Sequence, residues 1–462
     1  MWTTIPHGPG EIEVELPDDR VVSPSTGVSV PMPVLDDLDG AYRDALREPI
    51  DAEPLRDWVK QGAKVTIAFD DPTVQQYSPV WEIAIPLVVA ELEAGGVSRE
   101  DIQLICANAL HRQFTHDELA KLIGRPLVDE FADRLRCHDA EDPDGIVDLG
   151  TTSEHGYHVQ LNEAVESSDV TVYVNCAAFR GFSGGWKSVC VGLSTFASIS
   201  HHHNPDDMSM SIDRNRMHAM LDEMGAHVVE RLGDRRIFKL ETVQANPLQV
   251  SKVFGGTVDG TRKVSLDLMR AHTTPRRDLV DERVDVVMYG LPDWSPYAAY
   301  SHTNPILNLV STGLGYMGGV IEAFGKPGCT VIMANPCPPR WNTQHHPSYP
   351  EVWERILPET KDPYEIRERF EADFASRPEY IDAYRERNGF HGVHAIMALF
   401  PLKRLRHAGR VFVVGAEDPS VPRHLGFEAF DTASDALAAA EQIHGSDCSI
   451  ACVRYPQASN RV

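Results

Sequence analysis

Neither a C-x-x-C pair nor any disulfide-scaffold spacing occurs in this chain, although it holds eight cysteines in 462 residues. Cys448 and Cys452 stand four apart in a strand-like run, so a disulfide framework and a cysteine zinc or redox motif are both unsupported. No apolar run approaches the ~20 residues that a bilayer span needs. The start, MWTTIPHGPGEIEVELPDD, has neither a basic nor an apolar leader segment and does not read as a signal peptide. A dense Lys/Arg stripe is missing as well. With 43 basic against 68 acidic residues the formal charge is −25, which argues against a phosphate-backbone partner. Short-period repeats and low-complexity tracts are also absent. These absences describe a soluble, reduced protein expected in the cytoplasm, with no nucleic-acid or membrane partner.

Hydrophobic residues at 42% and charged residues at 24% suit a globular enzyme, and the length suggests two domains. Val65 to Phe69 reads as a strand, followed by the polar turn Asp70-Asp71-Pro72-Thr73. A helix is expected from about Val80 to Leu92, closed by Gly95-Gly96. A second strand, Ile102 to Cys106, leads to His111 and to Thr115-x-x-Glu118, a capping-box pattern. A third, Asp169 to Asn175, precedes a glycine-rich loop; about 205 to 232 reads as helix, then strands at 236–243 and 248–254. The second half repeats the rhythm with strands near 284–289, 329–333, 411–414 and 449–453. Helices are expected near 304–323, 362–387 and 433–443. The pattern predicts an α/β fold with two domains, 1–275 and 276–462, mainly parallel sheets, and an active-site cleft between them. Ligands in such sheets sit beyond the carboxyl ends of strands, where Asp71, Thr73 and His111 fall.

The segment Gly181-Phe-Ser183-Gly184-Gly185-Trp-Lys187 is the most informative. Its glycines and serine suit an anion at a helix start, and its lysine suits a phosphate or, with a lowered pKa, a covalent bond. It lacks the Walker A spacing, and a tight turn ending in an exposed lysine has the same composition. His201-His202-His203 is a metal candidate by residue type, although adjacent imidazoles diverge and a surface turn is the simpler reading. His111 is a general base by residue type, or a structural histidine.

Taken in order, these segments resemble a known family. An Asp-x-Thr turn, an Asn-x-x-His turn, His138-Asp139, Gly150-Thr-Thr, a GFSGGxK loop and a histidine sixteen residues later together are similar to the nickel-dependent lactate racemases. The resemblance runs from about Val65 to Val453. It implies a racemase or epimerase of a hydroxyl-bearing carbon that uses hydride transfer to a nickel-pincer nucleotide. Lys187 would hold that nucleotide covalently, His203 would ligate nickel, and His111 would exchange the substrate hydroxyl proton. Asp71, Thr73, Gly181, Ser183, Gly184 and Gly185 would line the cofactor. Enzymes that build the nucleotide would be needed in the host.

Departures from the family pattern bear on the substrate. A second catalytic histidine is replaced by Ala177, and the arginine after the Asp-x-Thr turn by Val74. Tyr300 is kept, but the lysine four residues on is Asn304. Two charge-assisted contacts, each worth about 1.5–3 kcal/mol, are lost to a small 2-hydroxy acid. The expected substrate is therefore a larger or neutral hydroxy compound, unless Arg180 or another cation substitutes. His302, His201 or His202 would replace the missing base, or the chemistry is one-sided. A nucleotide- or nickel-binding protein without catalysis is the remaining alternative.

Overall fold

The computed structural model describes residues 1–24, 31–74, 79–177, 181–233 and 236–456. Arg180, one of the expected cations, lies outside the described residues. Two compact units are formed: Pro31–His272 with Tyr384–Asn388, and Met1–Val30 with Thr273–Ala383 and Gly389–Val462. The first 30 residues, grouped with the first half from sequence, join the second unit because Trp2–Gly8 runs parallel to Val284–Pro292.

In the unit holding residues 31–272, the strands Val65–Asp70 and Val170–Ala177 are buried along their whole length. Continuous apolar runs of this kind belong to parallel strands covered on both faces. The sheet order is Gln249–Gly256, Ile237–Asn246, Val170–Ala177, Val65–Asp70, Ile102–Ala107, Leu135–Cys137. All neighbours are parallel except the edge hairpin of Ile237–Asn246 with Gln249–Gly256. From Val65–Asp70 the chain builds outward on one side, then returns to the other side as Val170–Ala177. That reversal makes a switch point at the carboxyl ends of these two strands, where open α/β sheets place their ligands.

Local signals hold well here. Thr115 and Glu118 form the reciprocal capping box that opens the helix His116–Ile123. Val80–Ala94 is helical and ends at Gly95. The helix expected over 205–232 is shorter, Arg216–Leu232. Asn215 starts it by accepting from the His218 N–H, while its amide donates to the carbonyls of Gly181, Ser209 and Ser211. The preceding segment is held as turns by Asn204, whose side-chain oxygen accepts from the amides of Asp206 and Asp207.

The other unit carries a sheet ordered Glu428–Phe430, Arg410–Val414, Gly325–Ala334, Val284–Pro292, Trp2–Gly8, Gly10–Glu15, with Ile450–Val453 also beside Val284–Pro292. Its core gathers Ile5, Val14, Val286, Ile332, Phe412, Leu437 and Ile450. The expected helix 304–323 is interrupted: Ile306–Tyr316 winds with wide i→i+5 turns, and Gly319–Phe324 follows after Gly318. Residues 362–387 form two helices, Pro363–Ser376 and Pro378–Glu386, because Arg377 precedes a proline and leaves the helical region. Among the described residues no helix is long and apolar enough to cross a membrane.

Candidate active site

Asp70 and Asp71 close the central strand and face different tasks. Asp71 is buried; one carboxylate oxygen lies 2.7 Å from His111 Nδ1 and the other accepts from the Thr73 hydroxyl at 2.5 Å and the Thr73 amide at 3.0 Å. Thr73 Oγ1 is also 3.2 Å from His111 Nδ1. A carboxylate only accepts, so Nδ1 of His111 carries a proton, and in the neutral ring Nε2 holds the lone pair. His111 is half-buried and its turn is pinned by Asn108, which exchanges backbone and side-chain bonds with it. Asp71, Thr73 and His111, separated in sequence, thus form one hydrogen-bonded group.

Asp70 accepts from Tyr173, Asn175 and the Cys176 amide. Burial pushes its carboxyl up to about 6, against the pull of Lys239 and these bonds. Lys187 is half-buried, with its ammonium 4.4 Å from the centre of the Phe182 ring. Burial lowers its amine to about 8, opposed by the nearby charges of Asp70 and Asp71. Asp71, which bonds His111, is thus also near enough to act on the charge of the lysine.

The loop before Lys187 is tied down from beneath. Arg262 donates to the carbonyls of Ser183 and, at 3.0 Å, Gly181; His218 Nε2 lies 3.0 Å from the Phe182 carbonyl; Lys239 reaches Gly185 O and Ser188 Oγ. Glu241 accepts from the Gly185 amide at 3.1 Å. Gly184 has φ +87°, and a Cβ there would stand 2.7 Å from the Glu241 carboxylate, so only glycine fits. Lys239 and Arg262 are both buried, and burial lowers both, Lys239 to about 8. His218 is held neutral, down to about 3, by burial and then by Arg262. These four supports were missed in sequence. The available signal was Lys239 and Glu241, two charges on one face of the mainly apolar run Ile237 to Val243.

His202 and His203 are both buried and share a short contact, Nδ1 to Nδ1 at 2.7 Å. His202 is kept neutral, down to about 3, by burial and next by Lys187, which places the pair in the electrostatic neighbourhood of the loop lysine. His201 Nε2 accepts from the His158 amide at 3.1 Å. His138 is fully buried between the Ser194 carbonyl and the Asn162 amide, and Asp139 pairs with Arg385. Ala177 sits in an apolar cluster with Val243 and Met269, flanked by Met32, Ile212, Phe254 and Leu268. Val74 is half-buried beside the Asp71 turn, to which its amide bonds at 3.1 Å.

Tyr300, His302 and Asn304 belong to the other unit. Tyr300 has φ +56°, a strained value for a tyrosine, and His302 is exposed. Asn304 is buried; its oxygen accepts from the Leu307 amide and its Nδ2 has no hydrogen-bond partner. Among the described residues one group of three side chains has metal-ligand spacing, Glu154, His155 and Glu223, of which the first two are exposed.

Residues 7–214 match the lactate racemase N-terminal domain. The lactate racemase of Thermoanaerobacterium thermosaccharolyticum is 24% identical over 223 residues, 46% of this chain and 51% of that protein. The lactate racemase of Lactiplantibacillus plantarum is 22% identical over 231 residues, 49% and 52% of the two chains. This chain thus spans about half the length of the curated relatives it matches. The structure of the Thermoanaerobacterium thermosaccharolyticum lactate racemase apoprotein superposes with a TM-score of 0.70 at 19% identity, covering 98% of each chain. A crystal structure of a Thermotoga maritima protein gives 0.52 at 15% identity over 85% and 91%. Residues 7–214 are thus similar to the lactate racemase N-terminal domain, and the chain shares the fold of the lactate racemase apoprotein.

Proposed function

We propose that this protein is a racemase or epimerase acting at a hydroxyl-bearing carbon, with a nickel-pincer nucleotide held on Lys187. The observation that carries the reading is the Asp71–His111 pair beside a half-buried lysine with a lowered pKa, at the switch point of a parallel sheet. His111 presents Nε2 as a base while Asp71 fixes the tautomer, an arrangement suited to taking a hydroxyl proton and returning it.

The residues present fit the nucleotide. An amine near 8 has a neutral fraction at physiological pH, as covalent attachment requires. Arg262 and Lys239 fix the loop carbonyls while Glu241 and Asp70 balance their charge, which leaves Lys187 as the loop's own cation for the nucleotide. His203 offers a buried imidazole for nickel. Bound there, the nucleotide supplies the hydride acceptor, while the protein orients the substrate and moves its proton. Asp71 and Thr73, expected from the resemblance to line the cofactor, act in this reading through His111; Gly181, Ser183, Gly184 and Gly185 retain the cofactor role. Enzymes that make the nucleotide are the implied partners in the host.

The substrate in this reading is a larger or neutral hydroxy compound rather than lactate. Val74 offers no charge at the turn, and the unpartnered Asn304 amide offers a neutral donor. Tyr300 and Asn304 are assigned to the substrate by the resemblance alone. A second reading, hydride transfer at one face only, is favoured by the apolar surroundings of Ala177 and by the engagement of His201 and His202.

Intact-mass and metal analysis test the proposal. Protein made beside the nucleotide-building enzymes, with a known lactate racemase loaded in parallel, is expected to carry an adduct on Lys187 and about one nickel. An unmodified chain in a host that loads the control overturns it. Chiral analysis of turnover then separates the two readings, since inversion needs proton handling on both faces.

A further inference from the structure

His202 has no counterpart in the family resemblance, yet its geometry is the more constrained of the pair. The two rings stand 4.9 Å apart, tilted 66°, with Nδ1 facing Nδ1 at 2.7 Å. Two ring nitrogens at that separation share one proton, because two lone pairs or two N–H groups would repel. The tautomers of His202 and His203 are therefore opposite. His202 is 0% exposed and His203 8%, so His202 is the more deeply buried of the two. The remaining nitrogen of His202, Nε2, is buried with no hydrogen-bond partner. A ligating histidine characteristically donates its other ring N–H to a fixed acceptor, which sets its orientation and basicity.

We infer that His202 is a positioning residue for nickel: its Nδ1 accepts the His203 Nδ1–H, leaving His203 Nε2 as the metal-binding nitrogen. This rests on the reading of His203 as the nickel ligand. Coordination at His203 Nε2 then selects one of two tautomer arrangements that the bare pair can hold. His202 acts without touching the metal.

The test uses nucleotide-loaded holoprotein challenged with excess EDTA, with nickel loss followed by metal analysis. His202→Leu is expected to lose nickel about 10–100-fold faster than the wild type. His202→Asn, whose side-chain oxygen stands close to the Nδ1 position, is expected to recover most of the retention. In ¹⁵N-labelled wild-type holoprotein, ring-nitrogen shifts are expected to show a protonated Nδ1 on His203 and an unprotonated Nδ1 on His202; this arm needs no variant to fold. Unchanged retention in His202→Leu, or the reverse protonation pattern, overturns the inference. His203→Ala separates the two levels: if it retains nickel like the wild type, the ligand reading falls and the role of His202 with it. If it loses nickel and His202→Leu does not, only the role of His202 falls.

Discussion

The Asp71 carboxylate lies 2.7 Å from Nδ1 of His111, and a second oxygen of the same group holds Thr73. Asp71→Asn reverses part of this polarity, since an amide can donate to Nδ1 and move the ring proton to Nε2. Turnover of the loaded enzyme should fall by ~10²-fold or more, the scale of a misplaced general base. Steady-state kinetics check it, with the thermal midpoint as a folding control; a loss under threefold would remove His111 from proton transfer.

Lys187 should titrate far below a surface lysine. Its ammonium is destabilised by burial to about 8, so the neutral amine gains population as pH rises through that value. Competitive acylation of nucleotide-free protein, read by peptide mass spectrometry across pH 6–11, should give half-maximal labelling of Lys187 near 8. Ordinary lysines should respond near ~10.4. A Lys187 profile that coincides with theirs contradicts the assigned environment.

Arg262 binds two loop carbonyls from below while facing Glu241. Removing its charge leaves those carbonyls and a buried carboxylate uncompensated, a loss of about 3 kcal/mol in unfolding free energy. Arg262→Gln should show this in urea unfolding, and Arg262→Lys should recover part of it. A change below ~1 kcal/mol would mean that the loop is held mainly by Lys239 and His218.

His138 contributes a pH dependence with a definite sign. Burial lowers its folded-state value to about 4 from 6.5 in the unfolded chain. Between those values the unfolded chain binds a proton and the folded chain does not. The stability contribution is complete above 6.5 and is lost as pH falls toward 4, by about 3 kcal/mol in all. Asp70, raised to about 6, works the other way: its contribution is complete below 3.8 and is lost as pH rises through 6. His138→Gln should therefore reduce the proton uptake on unfolding by about one between pH 4 and 6.5. An unchanged slope would show that His138 is already protonated in the fold.

The strand ends were legible from sequence because apolar runs stop abruptly at Asp70-Asp71 and just before His111, and because glycines cluster before Lys187. Their joining into one hydrogen-bonded group was not, since it depends on strand order. The supports of the loop were hidden for a related reason. Lys239 and Glu241 interrupt an apolar strand, which looks like a weak strand until Asp70, Gly185 and Arg262 are seen to surround them. His202 was hidden by its neighbours, because a triplet of histidines does not reveal which rings face each other. The interruption of 304–323 came from glycines that a periodicity of 3.6 does not register.

Chiral analysis of a hydroxy-compound panel with nucleotide-loaded protein tests the central claim most directly. The panel pairs neutral polyols and hydroxy esters with short 2-hydroxy acids, each offered as a single stereoisomer. Wild-type protein should invert a neutral member in preference to lactate, His111→Ala should lose at least ~10²-fold of that activity, and Val74→Arg should shift preference toward the acids. Inversion that survives in His111→Ala, or no inversion of any member by protein shown to carry the Lys187 adduct, would contradict it.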